Sequence, residues 1–280
     1  MSPAISRLGL IVHPDRPRAR ELAAIVTNWW TERGVAVVVD ATEGGPDPKL
    51  AAEGLDVIIS LGGDGTMLRS VALAAPRNIP VLGVNLGNLG YLTTVEPEEL
   101  GEACELLRSG DFLLDRRMLL EITLERAGGA RESFLAMNEV VVEKTSDGHT
   151  IFLGVTIGKD QFLTYAADGI MVATPTGSTA YNLSLRGPIV SPRLRALVMT
   201  PIAPHMLFDR TLVIEPELAI RLEVLRDRET VVIIDGERVA HLTPGDAIIV
   251  RESPFEASMV KFGERGFYEI LHQKFGLLDR

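Results

Sequence analysis

The sequence LDVIISLGGDGTMLRSVAL (residues 55–73) joins an apolar run, a glycine-rich loop and the start of a second apolar segment. We expect a buried strand over Leu55–Leu61, because short apolar runs bounded by glycine favour buried strands. A helix is predicted over Met67–Ala75, with Pro76 as its end. A glycine-rich loop between a strand and a helix lets backbone N–H groups approach a phosphate at the helix N-terminus. The segment therefore predicts a phosphate loop made of Gly62, Gly63, Gly65 and Thr66.

A carboxylate, Asp64, stands at the centre of this loop. It would repel a phosphate unless it held a metal or accepted a proton from a reacting group. The alternative is an ordinary tight turn in which Asp64 or Thr66 caps the helix. Because three glycines exceed what a cap requires, the pattern favours phosphate chemistry.

The first third of the chain alternates strand and helix. Strands are predicted at Leu8–Val12, Val35–Val39 and Ile79–Val84, and helices at Arg16–Arg33 and Glu98–Leu107. This order is typical of a mostly parallel sheet covered on both faces. Ligands of such sheets bind at the carboxyl ends of the strands. A second glycine-rich loop, Gly87–Gly90, also follows a predicted strand, so we expect the two loops to share one crevice.

From about Arg116 the pattern becomes all-β, with short apolar runs separated by turn residues such as Asp147-Gly148 and Asp235-Gly236. The predicted strands are Met118–Leu124, Phe134–Val142, Ile151–Ile157, Gln161–Tyr165, Ile170–Ala173, Ala196–Thr200, Thr211–Ile214, Ala219–Val224, Val231–Ile234 and Ala247–Val250. We therefore predict a Rossmann-like α/β domain (1–115), a β-sandwich domain (116–262) and a C-terminal tail (263–280). The tail, with a short helix over Gly266–Leu277, would pack back on the first domain.

Bulk properties exclude several classes of protein. A net charge of −10 disfavours nucleic acid or an anionic membrane as the main partner. The single cysteine, Cys104, cannot form an intrachain disulfide and fits a buried apolar position. No run is long enough to span a membrane, so we expect a cytoplasmic protein. The isolated histidines give no metal cluster, and the P-loop, dinucleotide-binding and hydrolase-elbow motifs are absent.

Two polar features interrupt the β-rich part. The stretch DGIMVATPTGSTAYN (residues 168–182) places four hydroxyl residues beside a predicted helix over Ser178–Leu185, where an anion or a ribose could bind. The alternative is an ordinary helix N-cap. Asn138-Glu139, inside the predicted strand Phe134–Val142, either faces solvent or recognises sugar hydroxyls or a base edge.

Together, GGDGT (62–66), NLGNLGYL (85–92), Asn138-Glu139, the 168–181 stretch and TPIAPH (200–205) closely resemble bacterial NAD kinases, which phosphorylate the adenosine-ribose 2′-hydroxyl of NAD. The likeness extends from about Leu8 to about Phe275. The first motif alone is weakly specific, since lipid kinases and phosphofructokinases carry similar loops.

The resemblance implies an α/β domain plus a β-sandwich, with the site between them and Asp64 as general base. Mg²⁺ would bind mainly through the phosphates of ATP or polyphosphate rather than a protein cluster, and a homodimer or homotetramer is implied. NAD would contact Asp64, Gly65, Arg69, Tyr91, Asn138, Glu139, His149, Ala166, Asp168, Thr176, Thr179, Ala180, Tyr181, Asn182, Leu183, Ser184, Ala203 and Glu237.

Three positions depart from the family pattern. Arg186 stands where small residues are expected, and it is either a phosphate contact or a surface charge. Glu237 replaces a frequent amide, and His149 takes the place of a basic or aromatic group. Two alternatives are a lipid or sphingoid-base kinase with the same loop and a catalytically silent NAD(P)-sensing regulator.

Overall fold

The computed structural model describes residues 5–41, 54–87, 90–145, 149–226, 228–263 and 266–276. The chain divides into two compact units. Unit 1 comprises Met1–Arg116 and Glu256–Arg280, and unit 2 comprises Arg117–Phe255. The chain thus returns to unit 1 at Glu256, whereas the sequence suggested a return after residue 262. The predicted turn Asp147-Gly148 lies outside the described residues.

Unit 1 alternates strands and helices as predicted. Its elements are β1 (Arg7–Val12), α1 (Pro17–Thr31), β2 (Ala36–Asp40), β3 (Val57–Gly62), α2 (Asp64–Ala74), β4 (Val81–Asn85) and α3 (Leu100–Ser109), with short 3₁₀ turns at Ala75–Arg77 and Pro97–Glu99. The strands pair in parallel in the order β2-β1-β3-β4. A core of apolar side chains, including the fully buried Leu10 and Trp30, holds the helices against this sheet.

Helix α2 begins earlier than predicted. We expected its start at Met67, but Asp64 is already its first residue and Gly63 is the N-cap. Neither Asp64 nor Thr66 caps the helix through a side-chain hydrogen bond, because the extended Gly63 occupies the cap position. Asp64 therefore lies in the first turn, where the helix dipole favours a negative charge.

Unit 2 is built from antiparallel strands. They are β5 (Leu113–Glu125, whose first residues belong to unit 1), β6 (Arg131–Ala136), β7 (Glu139–Lys144), β8 (Ile151–Ile157), β9 (Asp160–Ala167), β10 (Gly169–Ala173), β11 (Leu197–Ile202), β12 (Leu212–Ile214), β13 (Ile220–Val224), β14 (Thr230–Ile234), β15 (Glu237–Leu242) and β16 (Ala247–Lys261). One sheet has the order β12-β11-β10-β7-β14-β15. In the other sheet, β9 pairs with β8, β8 with β13, and β13 with β16. Strand β5 pairs with both β16 and β6. Apolar side chains of both sheets form one core, which gives unit 2 a sandwich-like architecture.

Strand β16 is much longer than the predicted Ala247–Val250. Its first part pairs with β13 in unit 2, and Met259 near its end pairs in parallel with Val81 of β4 in unit 1. The polar residues Arg251, Glu252 and Ser253, followed by Pro254, concealed this continuation in the sequence. β16 thereby supplies the strand that follows β4 in the parallel sheet.

The predicted strand Phe134–Val142 is wrong as a single element. It is two strands, β6 and β7, separated by Met137 and Asn138. The carboxylate of Asp235 accepts hydrogen bonds from the backbone N–H groups of Met137, Asn138 and Glu139 at 2.8–3.1 Å, which fixes the break. Strand β15 was also missed, because its outward residues are polar.

The remaining helices are short. Residues predicted as one helix from Ser178 form a 3₁₀ turn (Gly177–Thr179) followed by α4 (Tyr181–Ser184). The tail forms α5 (Phe267–Phe275), close to the predicted Gly266–Leu277, whose last residue lies outside the described part. None of the helices described combines the length and the apolar character needed to cross a lipid bilayer.

Candidate functional site

The phosphate loop of unit 1 lies at the carboxyl end of β3. Gly62 must be a glycine, because an added Cβ would overlap the buried side chain of Thr66. Gly63 and Gly65 differ, since a Cβ on either would meet nothing within 4 Å. Gly65 is also exposed although it belongs to the first turn of α2. The loop therefore combines one glycine needed for packing with two that leave open space.

Asp64 connects the two glycine-rich loops. Its carboxylate accepts hydrogen bonds from the backbone N–H groups of Tyr91 at 3.1 Å and Leu92 at 3.2 Å. Gly90 packs directly against this carboxylate and leaves no room for a side chain. The N–H of Leu86 also donates to the carbonyl of Gly62 at 2.8 Å. The two glycine-rich loops are thus neighbours, although Asn88 and Leu89 lie outside the described residues.

Tyr91 faces two charged groups. Burial, together with the negative charge of Asp64, raises the pKa of the Tyr91 hydroxyl. The ammonium nitrogen of Lys274, on α5, lies 3.8 Å from the centre of the Tyr91 ring. The buried hydroxyl of neighbouring Thr93 has no hydrogen-bond partner among the described residues. An aromatic ring, a cation from α5 and a hydroxyl without a partner among the described residues therefore lie close to Asp64.

Two arginines also lie near this edge of the sheet. Arg16, which precedes α1, donates to the carbonyl of Leu86 and lies against Gly87. Arg69, predicted to contact NAD, lies on α2 with its guanidinium 4.0 Å from the carboxylate of Asp40. Sequence reasoning missed Arg16 and Lys274, because neither belongs to a recognisable motif.

Unit 1 also contains a cavity of about 390 Å³ beside Tyr91. Its walls include Thr93, Glu102 and Ile270. Of the predicted site residues, Tyr91 lines it and Asp64 does not. The cavity is therefore adjacent to the phosphate loop rather than centred on it.

In unit 2, Glu139 begins β7 and is buried. One of its carboxylate oxygens lacks a hydrogen-bond partner within the described part of the chain. Burial, together with the negative charge of Asp235, raises the pKa of Glu139 to about 8, although the backbone N–H of Tyr181 opposes the shift. Burial also raises the pKa of Asp235, against the effect of its three backbone donors. At neutral pH Glu139 is therefore largely a neutral acid, able to donate as well as accept a hydrogen bond.

The hydroxyl-rich stretch packs against the same break between β6 and β7. Thr174 donates its hydroxyl to the carbonyl of Met137 at 2.6 Å, and its N–H donates to the carbonyl of Asn138 at 2.8 Å. Gly177 lies so close to Asn138 that a Cβ would overlap that residue's backbone. The structure thus brings Asn138, Glu139 and the Thr176–Tyr181 segment together.

Several residues predicted to contact NAD form hydrogen bonds within the protein. Asn182 is fully buried, donates to the carbonyl of Pro188 at 3.1 Å and accepts from the Thr200 hydroxyl at 2.7 Å. Buried Thr176 accepts from Arg117 at 3.4 Å. Thr179, Ala180, Leu183 and Ser184 surround Tyr181 on the 3₁₀ turn and α4, and are partly or fully exposed.

A second group of predicted residues lies where β9, β10 and β11 meet. Ala166 accepts the N–H of His205, and the N–H of Asp168 donates to Ile202. The Asp168 carboxylate forms an ion pair of 2.9 Å with Lys144, a partner that the sequence did not suggest. Ala203 is exposed and has a left-handed backbone with φ of 42°.

The positions that depart from the family pattern are all exposed. His149 precedes β8, and Glu237 opens β15 directly after the Asp235-Gly236 turn. Arg186 has a left-handed backbone, with φ of 62°. Among the described residues, no cluster of three or more His, Cys, Asp or Glu side chains could hold a metal ion.

Comparisons with known proteins agree with this geometry. The family model of the ATP-NAD kinase N-terminal domain matches residues 47–112, and that of the C-terminal domain matches residues 137–262. The chain is 42% identical over 275 residues to an NAD kinase of Heliobacterium modesticaldum, with 95% of this chain and 97% of that protein covered. A Moorella thermoacetica NAD kinase is 37% identical, with coverage of 96% and 89%.

Solved structures give the same result. A yeast NADH kinase complexed with NADH superposes with a TM-score of 0.90 at 26% identity, covering 99% of this chain and 89% of that one. An NAD kinase from Archaeoglobus fulgidus in complex with ATP gives a TM-score of 0.75 at 25% identity, with coverage of 95% and 98%. These relatives favour the NAD kinase interpretation over the lipid-kinase alternative. The chain belongs to the NAD kinase family.

Proposed function

We propose that this enzyme transfers the terminal phosphate of ATP to the 2′-hydroxyl of the adenosine ribose of NAD, with Asp64 as the general base. The observation that carries the assignment is the placement of Asp64. Its carboxylate lies at the start of α2 and accepts hydrogen bonds from two backbone N–H groups of the described residues, at 3.1 and 3.2 Å. Such a carboxylate keeps lone pairs with which it can accept a proton.

The transfer is a displacement of ADP at the terminal phosphorus of ATP. The 2′-hydroxyl loses its proton to a carboxylate oxygen of Asp64 while its oxygen forms a bond to the terminal phosphorus. The bond from that phosphorus to the bridging oxygen breaks, and ADP leaves. Positioning and charge neutralisation contribute most of the rate in such reactions. The open space at Gly63 and Gly65 would accommodate the phosphate, with the first N–H groups of α2 as donors.

Unit 2 would hold NAD. Asn138 and Glu139 match the family pair for the ribose hydroxyls, and the unpartnered oxygen of Glu139 supports that role. Because burial raises the pKa of Glu139 to about 8, its neutral form would donate one hydrogen bond and accept another. Asp168, placed by Lys144, would bind near the nicotinamide, and Tyr91 of unit 1 near the adenine.

Mg²⁺ fits this chain as a metal carried by the donor. Asp64 is one carboxylate rather than a cluster, and its oxygens already accept two N–H groups. We therefore assign the metal to the donor phosphates, whose charge it would neutralise. A homo-oligomeric state stays a prediction from the family resemblance, and a cytoplasmic location stays a prediction from the sequence.

The test is the rate of NADP formation from NAD, ATP and Mg²⁺ by the purified protein. We expect Asp64→Asn to lower kcat by about 10²- to 10⁴-fold, the usual contribution of a general base. The matched control is Asp111→Asn, an exposed aspartate of unit 1. An Asp64→Asn rate within threefold of the parent would exclude Asp64 as the base, and a parent that forms no NADP would overturn the proposed reaction.

A further inference from the structure

The C-terminal helix α5 meets the Asp64 loop through one face. Ile270 and Lys274 are four residues apart and therefore lie on the same side of the helix. Ile270 lines the cavity beside Tyr91, and Lys274 places its ammonium nitrogen 3.8 Å from the centre of the Tyr91 ring. None of the helix residues is buried. This face thus brings a cation to the loop without burying the helix.

Lys274 belongs to the electrostatic surroundings of Asp64. Partial burial lowers the pKa of Lys274, and the negative charge of Asp64 offsets part of this shift. The backbone N–H of Tyr91, whose ring Lys274 covers, is itself bonded to the Asp64 carboxylate. A change in charge at this loop would therefore change the electrostatic energy of the Lys274 ammonium group.

The other basic side chains near the loop already have acidic or carbonyl partners. Arg16 donates to the carbonyl of Leu86, and Arg69 lies against Asp40. Within the described part of the chain, Lys274 contacts an aromatic face and forms no salt bridge. A polyphosphate approaching Asp64 brings several negative charges toward a carboxylate, and an ammonium group there would offset the repulsion.

We propose that Lys274 is a phosphate-binding residue of the donor site, which the C-terminal helix brings to the Asp64 loop. The assignment rests on the proposed function, in which the donor phosphates lie at Gly62–Thr66. Lys274 exchanges its contact with the Tyr91 ring for the terminal phosphates when the donor binds. A charged hydrogen bond of this kind is typically strong enough to change affinity about tenfold or more.

The experiment compares Lys274→Met, which keeps the length and the apolar stem, with Lys274→Arg, which restores the positive charge. Calorimetry measures the binding of inorganic triphosphate with Mg²⁺, and initial rates give KM for ATP and for NAD. We expect Lys274→Met to weaken triphosphate binding and raise KM for ATP by about tenfold, with KM for NAD within twofold of the parent. Lys274→Arg recovers most of the loss.

Two controls separate charge from helix docking. Gln273→Met places the same side chain on the adjacent, exposed position of α5, and Lys159→Met removes an exposed lysine from a turn of unit 2. Both should bind triphosphate as the parent does. An unchanged triphosphate affinity in Lys274→Met would overturn the proposal, and so would a loss that Lys274→Arg fails to restore.

Failure of the base assignment would be seen separately. Asp64→Asn should lose turnover but keep its affinity for triphosphate, because it removes a negative charge from the donor site. If Asp64→Asn instead kept full turnover, Asp64 would not be the base, while the triphosphate measurements on Lys274→Met would still decide the role of Lys274.

Discussion

Asp64 in unit 1 and Asp235 in unit 2 use the same contact for different purposes. Each carboxylate binds backbone N–H groups of a segment remote in sequence. Counting donors in the described part of the chain, Asp235 accepts three bonds, two of them at 2.8 Å, whereas Asp64 accepts two, at 3.1 and 3.2 Å. Both lone pairs of Asp235 Oδ1 are used by backbone donors, whereas each oxygen of Asp64 accepts one of these bonds and keeps a second lone pair. Asp235 therefore fixes the backbone, and Asp64 can still accept a further hydrogen bond. The number and length of backbone contacts thus distinguish a structural carboxylate from a candidate base.

Removing the structural carboxylate should have the largest effect on stability. Asp235→Ala leaves three backbone N–H groups without their acceptor and places alanine at a left-handed φ of 48°. We expect a loss of about 3 kcal/mol in the free energy of unfolding. Asp235→Asn, which keeps an acceptor oxygen and tolerates this backbone, should lose about half as much.

Urea unfolding followed by circular dichroism measures this loss. Tryptophan fluorescence adds a second signal, because both tryptophans, Trp29 and Trp30, lie in unit 1. We expect the fluorescence transition to move less than the dichroism transition. A loss below 1 kcal/mol in Asp235→Ala would contradict the structural role of Asp235.

The raised pKa of Glu139 predicts that stability depends on pH, with the next largest effect. Its pKa is about 8 in the folded protein against an ordinary value of 4.5, so the folded state binds the proton more tightly. Stability from this group is therefore complete below about pH 4.5 and is lost as the pH rises to about 8. Glu139→Gln, which stays neutral, should be more stable than the parent by about 2 kcal/mol at pH 8, and by much less at pH 5.

Urea unfolding from pH 5 to pH 9, taken as the difference between variant and parent, cancels the other titrating groups. Glu143→Gln, on the same strand and partly exposed, is the control. A difference that does not change with pH would show that Glu139 is ionised in the folded protein.

Gly62→Ala tests the packing of the phosphate loop. The new Cβ would overlap Thr66, so we expect a loss of about 1.5 kcal/mol. Gly63→Ala is the matched control, because its Cβ would enter open space and its backbone is extended. Thermal unfolding of the two variants side by side gives the comparison, and equal midpoints would contradict the packing role of Gly62.

Gly65→Ala should change stability least and activity more. Alanine is favoured over glycine in a helix, and no atom lies within 4 Å of the new Cβ, so stability should rise by about 0.5 kcal/mol. If the open space accommodates a phosphate, NADP formation should nevertheless fall about tenfold. Full activity in a stabilised Gly65→Ala protein would show that the space beside Asp64 has no role in binding.

The sequence predicted the Asp64 loop well because its signal is local: a buried strand, three glycines and a helix follow one another within twenty residues. The break at Met137-Asn138 could not be predicted in this way. Its apolar flanks look like one strand, and the carboxylate that breaks it comes from Asp235, far along the chain. The contact of Lys274 with Tyr91 is remote in the same sense. Short-range sequence patterns were thus sufficient to predict the fold class and the Asp64 loop. They could not predict polar contacts between residues that are distant in the sequence.

The return of the chain through β16 has a consequence for biosynthesis. Unit 1 receives the strand beside β4 and the helix that carries Lys274 from residues after Phe255, when all of unit 2 has already been translated. Unit 2, whose residues are continuous, can fold while the ribosome is still at work, whereas the sheet of unit 1 must wait with one edge open. A nascent chain interrupted before Glu256 would therefore carry the glycine loop without its neighbouring strand. The Asp64 loop therefore gains its contact with Lys274 only after all of unit 2 has been synthesised.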